Sequence, residues 1–248
     1  MLSRNDRQRQ QAARNVATTT RGFAGRNLGD QPYVMDLVLN HHFLMNDKGP
    51  FVVTATGSGA LAWVFGVTAI AFQTQGTAAS TIYADLGTGF INGSGWMTGY
   101  NRDASLRARC KWEAVDAQAK VFVGLSTSNG VLTTTDGLLF GIDGRVSTSH
   151  FLAVSRNGGV ATTKILDGSG DTFAAAIDTA WHEVAIICDS QNAQVRFYFD
   201  KGLAATLTTD IPSDAGDYVQ PSFSAENGTT ATNRQISCDV VVLAEAGP

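Results

Sequence analysis

The sequence is short of cysteine, proline, charge and long apolar runs, and each shortage excludes something. Only three cysteines occur, Cys110, Cys188 and Cys238, each inside a strand-like run with no CxxC spacing and no histidine close by. An odd count without that spacing argues against a disulfide framework or a zinc site. The three read as small apolar core side chains, which suits folding in a reducing cytoplasm. The most apolar stretch, "ALAWVFGVTAIAF" (60–72), has 13 residues, too few to span a bilayer. The first 20 residues contain no apolar run, so no secretory leader is expected. Charged residues make up only 16% of the chain. Proline is scarce at 5 while glycine is abundant at 26. That balance belongs to a turn-rich β protein, and 248 residues suit one large domain of that kind.

The charge that is present is unevenly placed. Arg4, Arg7, Arg9, Arg14, Arg21 and Arg26 face only Asp6 and Asp30 within the first 30 residues, while the whole chain carries a net −4. The body is therefore acidic, which speaks against nucleic acid as a partner. The basic arm could meet an acidic protein surface. Residues 1–33 read as an extended or partly helical N-terminal arm, with Ser3 as a possible cap for a helix over 4–16. Its apolar positions Ala12, Ala13 and Val16 form too weak a stripe to stabilise a helix alone.

From Val34 to the end, strand-like runs alternate with turn formers. "SLRARCKWEAV" (105–115) alternates cleanly: Leu106, Ala108, Cys110, Trp112 and Ala114 share one face, and Arg107, Arg109, Lys111 and Glu113 the other. "AKVFVGLST" (119–127), "GLLFGID" (137–143), "HFLAVSR" (150–156) and "VATTKIL" (160–166) follow. "WHEVAIICDSQNAQVRFYFDKGLAATL" (181–207) reads as a three-stranded meander. In it Val184, Ile186 and Cys188 share a face, Val195, Phe197 and Phe199 share another, and Leu203, Ala205 and Leu207 resume the pattern, with Gly202 expected to supply a positive φ at the second turn. In "NRQISCDVVVLAE" (233–245), Ile236, Cys238, Val240 and Val242 are expected on one face. About a dozen strands with turns at this spacing predict an all-β fold, a two-sheet antiparallel sandwich over 34–248. The Gly-rich "TGFINGSGWMTGYNRD" (88–103) reads as a long loop.

The motif order from 104 to 244 resembles the concanavalin A-like lectin/glucanase jelly roll in its laminin-G-like form. The carrying residues are "LRARCKWEAV", "VFVGLST", "DGLLFGID", "WHEVAIICD…QVRFYFDKGLAATLTTDIP" and "ISCDVVVLAE". Trp181 opening a strand before "FYFDKG" is similar to the family's Trp-to-Asp-Gly signature, with Lys201 inserted between Asp200 and Gly202. Such a domain behind a short polar arm also resembles structural proteins of tailed-phage virions, both head decoration proteins and tail fibres.

The glucanases of this family need a Glu-x-Asp-x-x-Glu stretch, or one residue longer, to place two carboxylates on one face. No such stretch occurs; Glu113 and Asp116 would point to opposite faces. The histidines read as surface or turn residues, and no Ser-His-Asp set is visible. "DGSGD" (167–171) and "SDAGD" (213–217) could offer oxygens to calcium, but turn chemistry accounts for both. The expectation is thus a non-enzymatic virion protein without metal or cofactor. Its first form is a capsid decoration or cement protein whose arm arginines, Arg4 to Arg26, dock on the major capsid protein or other virion subunits. Self-association as a trimer or dimer is expected, with no nucleic acid and no membrane. The alternative is a tail-fibre or adsorption lectin holding host glycans through Trp96, Tyr100, Asn101 and Asp103 in the Gly-rich loop. The row Arg107, Arg109 and Lys111 reads as a solvated strand face.

Overall fold

A computed structural model of the chain describes residues 35–42, 51–56, 62–65, 70–74, 78–85, 98–99, 103–113, 116–127, 132–133, 136–212, 218–229 and 234–246. The N-terminal arm lies outside the described residues. Two antiparallel sheets face each other. The first runs β14 (Gly202–Leu207), β13 (Gln194–Phe199), β12 (His182–Asp189), β7 (Ser105–Glu113), β16 (Gln235–Ala246), β4 (Ile70–Gln73) and β3 (Ala62–Phe65), with β1 (Met35–His42) also pairing β16. The second runs β11 (Val160–Ile165), β10 (Leu152–Asn157), β9 (Gly137–Asp143), β8 (Lys120–Ser126), β15 (Tyr218–Glu226), β5 (Thr81–Asp85) and β2 (Val52–Thr56), with β6 (Thr98–Gly99) also pairing β15. The chain crosses between sheets after β1, β2, β4, β6, β7, β11, β14 and β15, the winding of a jelly roll.

Alternation explains how each strand is used. Leu106, Ala108, Cys110 and Trp112 of β7 are fully buried between the sheets, while Arg107, Arg109, Lys111 and Glu113 are half-buried on its other face. The Trp112 indole N–H donates to the Val121 carbonyl at 3.2 Å, so the largest core ring also links the two sheets. Phe151 meets Trp112 edge-on at 4.9 Å, and Phe140 and Phe199 stack at 5.8 Å. Pro221 is tolerated inside β15 because β6 leaves that strand at Val219 and β5 joins it only at Phe223. The missing N–H therefore faces a gap in the pairing.

Three sequence expectations are corrected by strand geometry. A β-bulge falls between Cys238 and Val240 of β16. The extra residue, Asp239, shifts the alternation. Val241 and Leu243 therefore join the main core cluster, while Val240, itself buried, and the half-buried Val242 do not. A second irregularity, between Phe197 and Tyr198, lets β14 slip, so Ala204 is buried and Leu203 stands 49% exposed. At the β13–β14 turn, Asp200 (φ 46°) and Lys201 (φ 74°) carry the positive φ, and Gly202 begins the next strand. Positive φ at both central residues is the hairpin geometry that matches strand twist. Cys110 and Cys238, far apart in sequence, are direct neighbours across β7 and β16.

The same turn builds a buried corner. Asp200 accepts the Glu183 N–H at 2.9 Å and contacts His182 Nδ1 at 2.8 Å, while Asp178 contacts His182 Nε2 at 2.7 Å. The imidazole is 7% exposed and packs on Phe199 at 4.4 Å, so it is a core residue and not the surface histidine expected. Burial opposes its protonation, but the hydrogen bonds to Asp200 and Asp178, aided by their charges, outweigh that and raise its pKa.

Two outcomes follow from these features. Val241→Ala should cost about 2 kcal/mol in urea unfolding and Val242→Ala about 0.5 kcal/mol or less; equal costs would contradict the bulge register. A raised histidine pKa stabilises the fold fully below its ordinary value of about 6.5, and the gain fades as pH climbs through the raised value. Urea midpoints measured from pH 6 to pH 9 should therefore fall, and His182→Gln should flatten that fall.

Candidate functional site

The second sheet departs from the usual antiparallel pattern of one buried and one wet face. Every residue of β8 from Val121 to Ser126, and of β9 from Gly137 to Ile142, is buried. The inward residues Val121, Val123, Leu125, Leu138, Phe140 and Ile142 belong to the main core. The outward residues Phe122, Leu139, Leu152 and Val154, with Leu132 and Ile165, form a separate apolar cluster on the far side.

Register explains its shape. Reading across β8, β9, β10 and β11, one row is Phe122, Gly141, Leu152 and Ile165; the next is Gly124, Leu139, Val154 and Thr163; the third is Ser126, Gly137, Arg156 and Ala161. Each row contains a glycine, so the large side chains beside it spread over a position that has none. A side chain cannot be added at Gly124, because its Cβ would collide with the Leu138 carbonyl of the adjoining strand. The result is a trough of about 170 Å³ with an apolar floor.

Its rim is ionic. Where β15, β8 and β9 end, Glu226, Lys120 and Asp143 stand side by side, and Arg145 follows from the next turn. Lys120 Nζ lies 3.6 Å from Glu226, and the Arg145 backbone N–H and guanidinium donate to Asp143 at 3.0 and 3.4 Å. Thr133 donates its hydroxyl to Glu226 and accepts, through its carbonyl, the Arg156 Nη1–H at 2.7 Å. On β15 and β8 beside this trough, Ser222 and Ser126 share a hydroxyl hydrogen bond of 2.7 Å. The arrangement offers an apolar surface a few ångströms from fixed donors and acceptors.

Of the arm and glycan-site residues anticipated from sequence, only Asp103 is described. Arg4, Arg7, Arg9, Arg14, Arg21, Arg26, Trp96, Tyr100 and Asn101 lie outside the described residues. Asp103, which begins the turn before β7, accepts both the N–H and the hydroxyl of Ser190 at 2.7 Å and so fastens a loop of the first sheet. The basic row of β7 is matched by carboxylates: Arg109 pairs with Asp239 and Lys111 with Glu113, each at 2.5 Å. Burial lowers the Arg107 pKa against the opposing influence of Glu183 and Tyr198. In "DGSGD", Asp167 accepts the Ser169 N–H and hydroxyl at 2.9 and 2.6 Å, and Asp171 pairs with Lys164 at 2.5 Å. Hydrogen bonds from Ser169 and Lys164 hold these two carboxyls below their ordinary pKa. Among the described residues no group of three or more His, Cys, Asp or Glu could hold a metal ion.

No family model matches the sequence, and no curated protein matches it. Solved structures do. A mixed-linkage glucan GH16 protein of Bacteroides ovatus, solved with a product, has a TM-score of 0.56 at 8% identity, over 83% of this chain and 99% of that one. The carbohydrate esterase of Shiga toxin-encoding bacteriophage phi24B gives 0.51 at 15%, over 86% and 100%. The CBM2 module of the evolved Dit protein of Lactobacillus casei BL23 phage J-1 gives 0.52 at 12%, over 87% and 98%.

These likenesses correct the expectation that the chain is not an enzyme. The GH16 hydrolase and the esterase carry catalysis on this fold. The sequence argument tested one carboxylate spacing and could not speak for the other chemistries that one fold hosts. In strand order and in these comparisons, the chain is a concanavalin A-like jelly-roll sandwich.

Proposed function

We propose that this chain is a bacteriophage protein that binds carbohydrate, seating the sugar in the trough on the outer face of β8–β11. The observation that carries the reading is the pairing of an apolar floor with a hydrogen-bonding rim. A saccharide ring presents C–H groups on its face and hydroxyls at its edge. Val154 and Leu139 suit the former; Thr133, Thr163 and Asp143 suit the latter. Binding sites commonly combine such an apolar lining with a few placed polar groups. The likeness to a phage esterase and to a carbohydrate-binding module of a phage Dit protein supports the phage setting.

In this reading the sandwich works in adsorption to a host surface, and the arginine-rich arm attaches it to other virion subunits. The head-decoration role rests on the arm alone, whereas the glycan role rests on residues that are described. A printed array of bacterial surface glycans, probed with the full chain, tests the reading. Specific binding to at least one glycan is expected. Ala161→Trp, which fills the open side of the trough, should lower that binding at least tenfold, while Leu203→Trp on the first sheet should leave it unchanged. A blank array, or equal binding by the Ala161→Trp protein, would refute it.

A further inference from the structure

The trough departs from the charge of the rest of the protein. The chain carries a net −4. Yet the trough is lined by Lys120, Arg145 and Arg156 against a single lining carboxylate, Asp143. Two of the cations are answered. Lys120 stands between Glu226 and Asp143 in the strand register, and Arg145 is hydrogen-bonded to Asp143.

Arg156 is different. Its Nη1–H donates to a neutral carbonyl, that of Thr133. Its Nε is buried with no hydrogen-bond partner among the described residues. No acidic residue stands in its row, and the carboxylate of Asp136, next to Gly137, accepts the Gly159 N–H at 3.4 Å. A guanidinium beside an apolar floor, with no ion pair among the described residues and with an unmet donor, is costly to keep. An anion in the trough supplies the missing charge to the guanidinium. Guanidinium groups favour planar, two-pronged oxyanions, and bonds of that kind are stronger than neutral ones.

We infer that the trough takes an acidic saccharide, its anionic group meeting Arg156 while the ring lies on Val154 and Leu139. This rests on the carbohydrate-binding reading and adds the class of sugar. The shared chemistry is an oxyanion on a pyranose, supplied either by a hexuronate carboxylate or by a sugar phosphate.

The test uses the full chain and four probes: a tetragalacturonate, its methyl ester, a phosphorylated hexose oligomer and its dephosphorylated counterpart. Calorimetry should give at least tenfold tighter binding for one acidic probe than for its neutral partner, and which one identifies the source. That preference should shrink as salt rises from 50 to about 500 mM, since charge attraction is screened. Arg156→Gln should bind the acidic probe no better than the neutral one, and Arg156→Lys should keep part of the preference. Urea midpoints of both variants, compared with the parent, separate a lost contact from a lost fold. Equal affinity for acidic and neutral probes would overturn the acidic-sugar inference and leave the carbohydrate reading standing. An Arg156→Gln protein that is folded and keeps the full preference would overturn it too. Binding to none of the four, together with a blank glycan array, would sink both.

Discussion

The middle strands of the second sheet, β8 and β9, are buried on both faces, and that constraint organises the rest. A strand in a two-layer fold has one face to bury and one to wet. β8 and β9 bury both. The inner face is satisfied by the first sheet, through Trp112, Phe197, Ile186 and their neighbours. The outer face has no second layer of strands over it among the described residues. It is closed in part by Leu132, fully buried, from the segment between β8 and β9. What remains is the trough.

The two faces differ in how they are filled. Between the sheets, aromatic rings meet edge-on and stacked, and Trp112 adds a hydrogen bond across the layers. On the outside, Gly124, Gly137 and Gly141 occupy one position in each row, and close strand approach forbids a side chain at Gly124. The outer cluster is therefore a floor with depth and not a filled layer. His182 shows the complementary solution on the first sheet, where a polar ring enters the core only because Asp178 and Asp200 hold both of its nitrogens.

Much of the fold was legible in the residues. "GLLFGID" coincides with β9 from end to end, and the alternation of β7 assigned its faces correctly. β16 was misread because Asp-Val-Val-Val offers no local sign of a bulge; either parity of valine satisfies a hydrophobic pattern. The Asp200–Lys201 turn was misread because glycine is the habitual source of positive φ, whereas here the Asp200 carboxylate is fixed by His182 and Glu183. The shape of the trough was not legible, since its rows join residues from four strands and exist only once register is set. One signal did exist. "VFVGL", "LLFGI" and "FLAV" are unbroken apolar runs, the mark of a strand covered twice, while β7 and β13 alternate.

Just before the bulge at Asp239, Cys110 and Cys238 pair across β7 and β16 in the core, with Cys188 buried as well. Desolvation pushes the Cys188 and Cys238 thiols well above their ordinary pKa. Only the thiolate attacks disulfides or oxidants with speed. All three sulfurs are buried and unbridged, so the sandwich is held by packing without covalent ties, and no thiol among them stands at the surface to tie it to a neighbour.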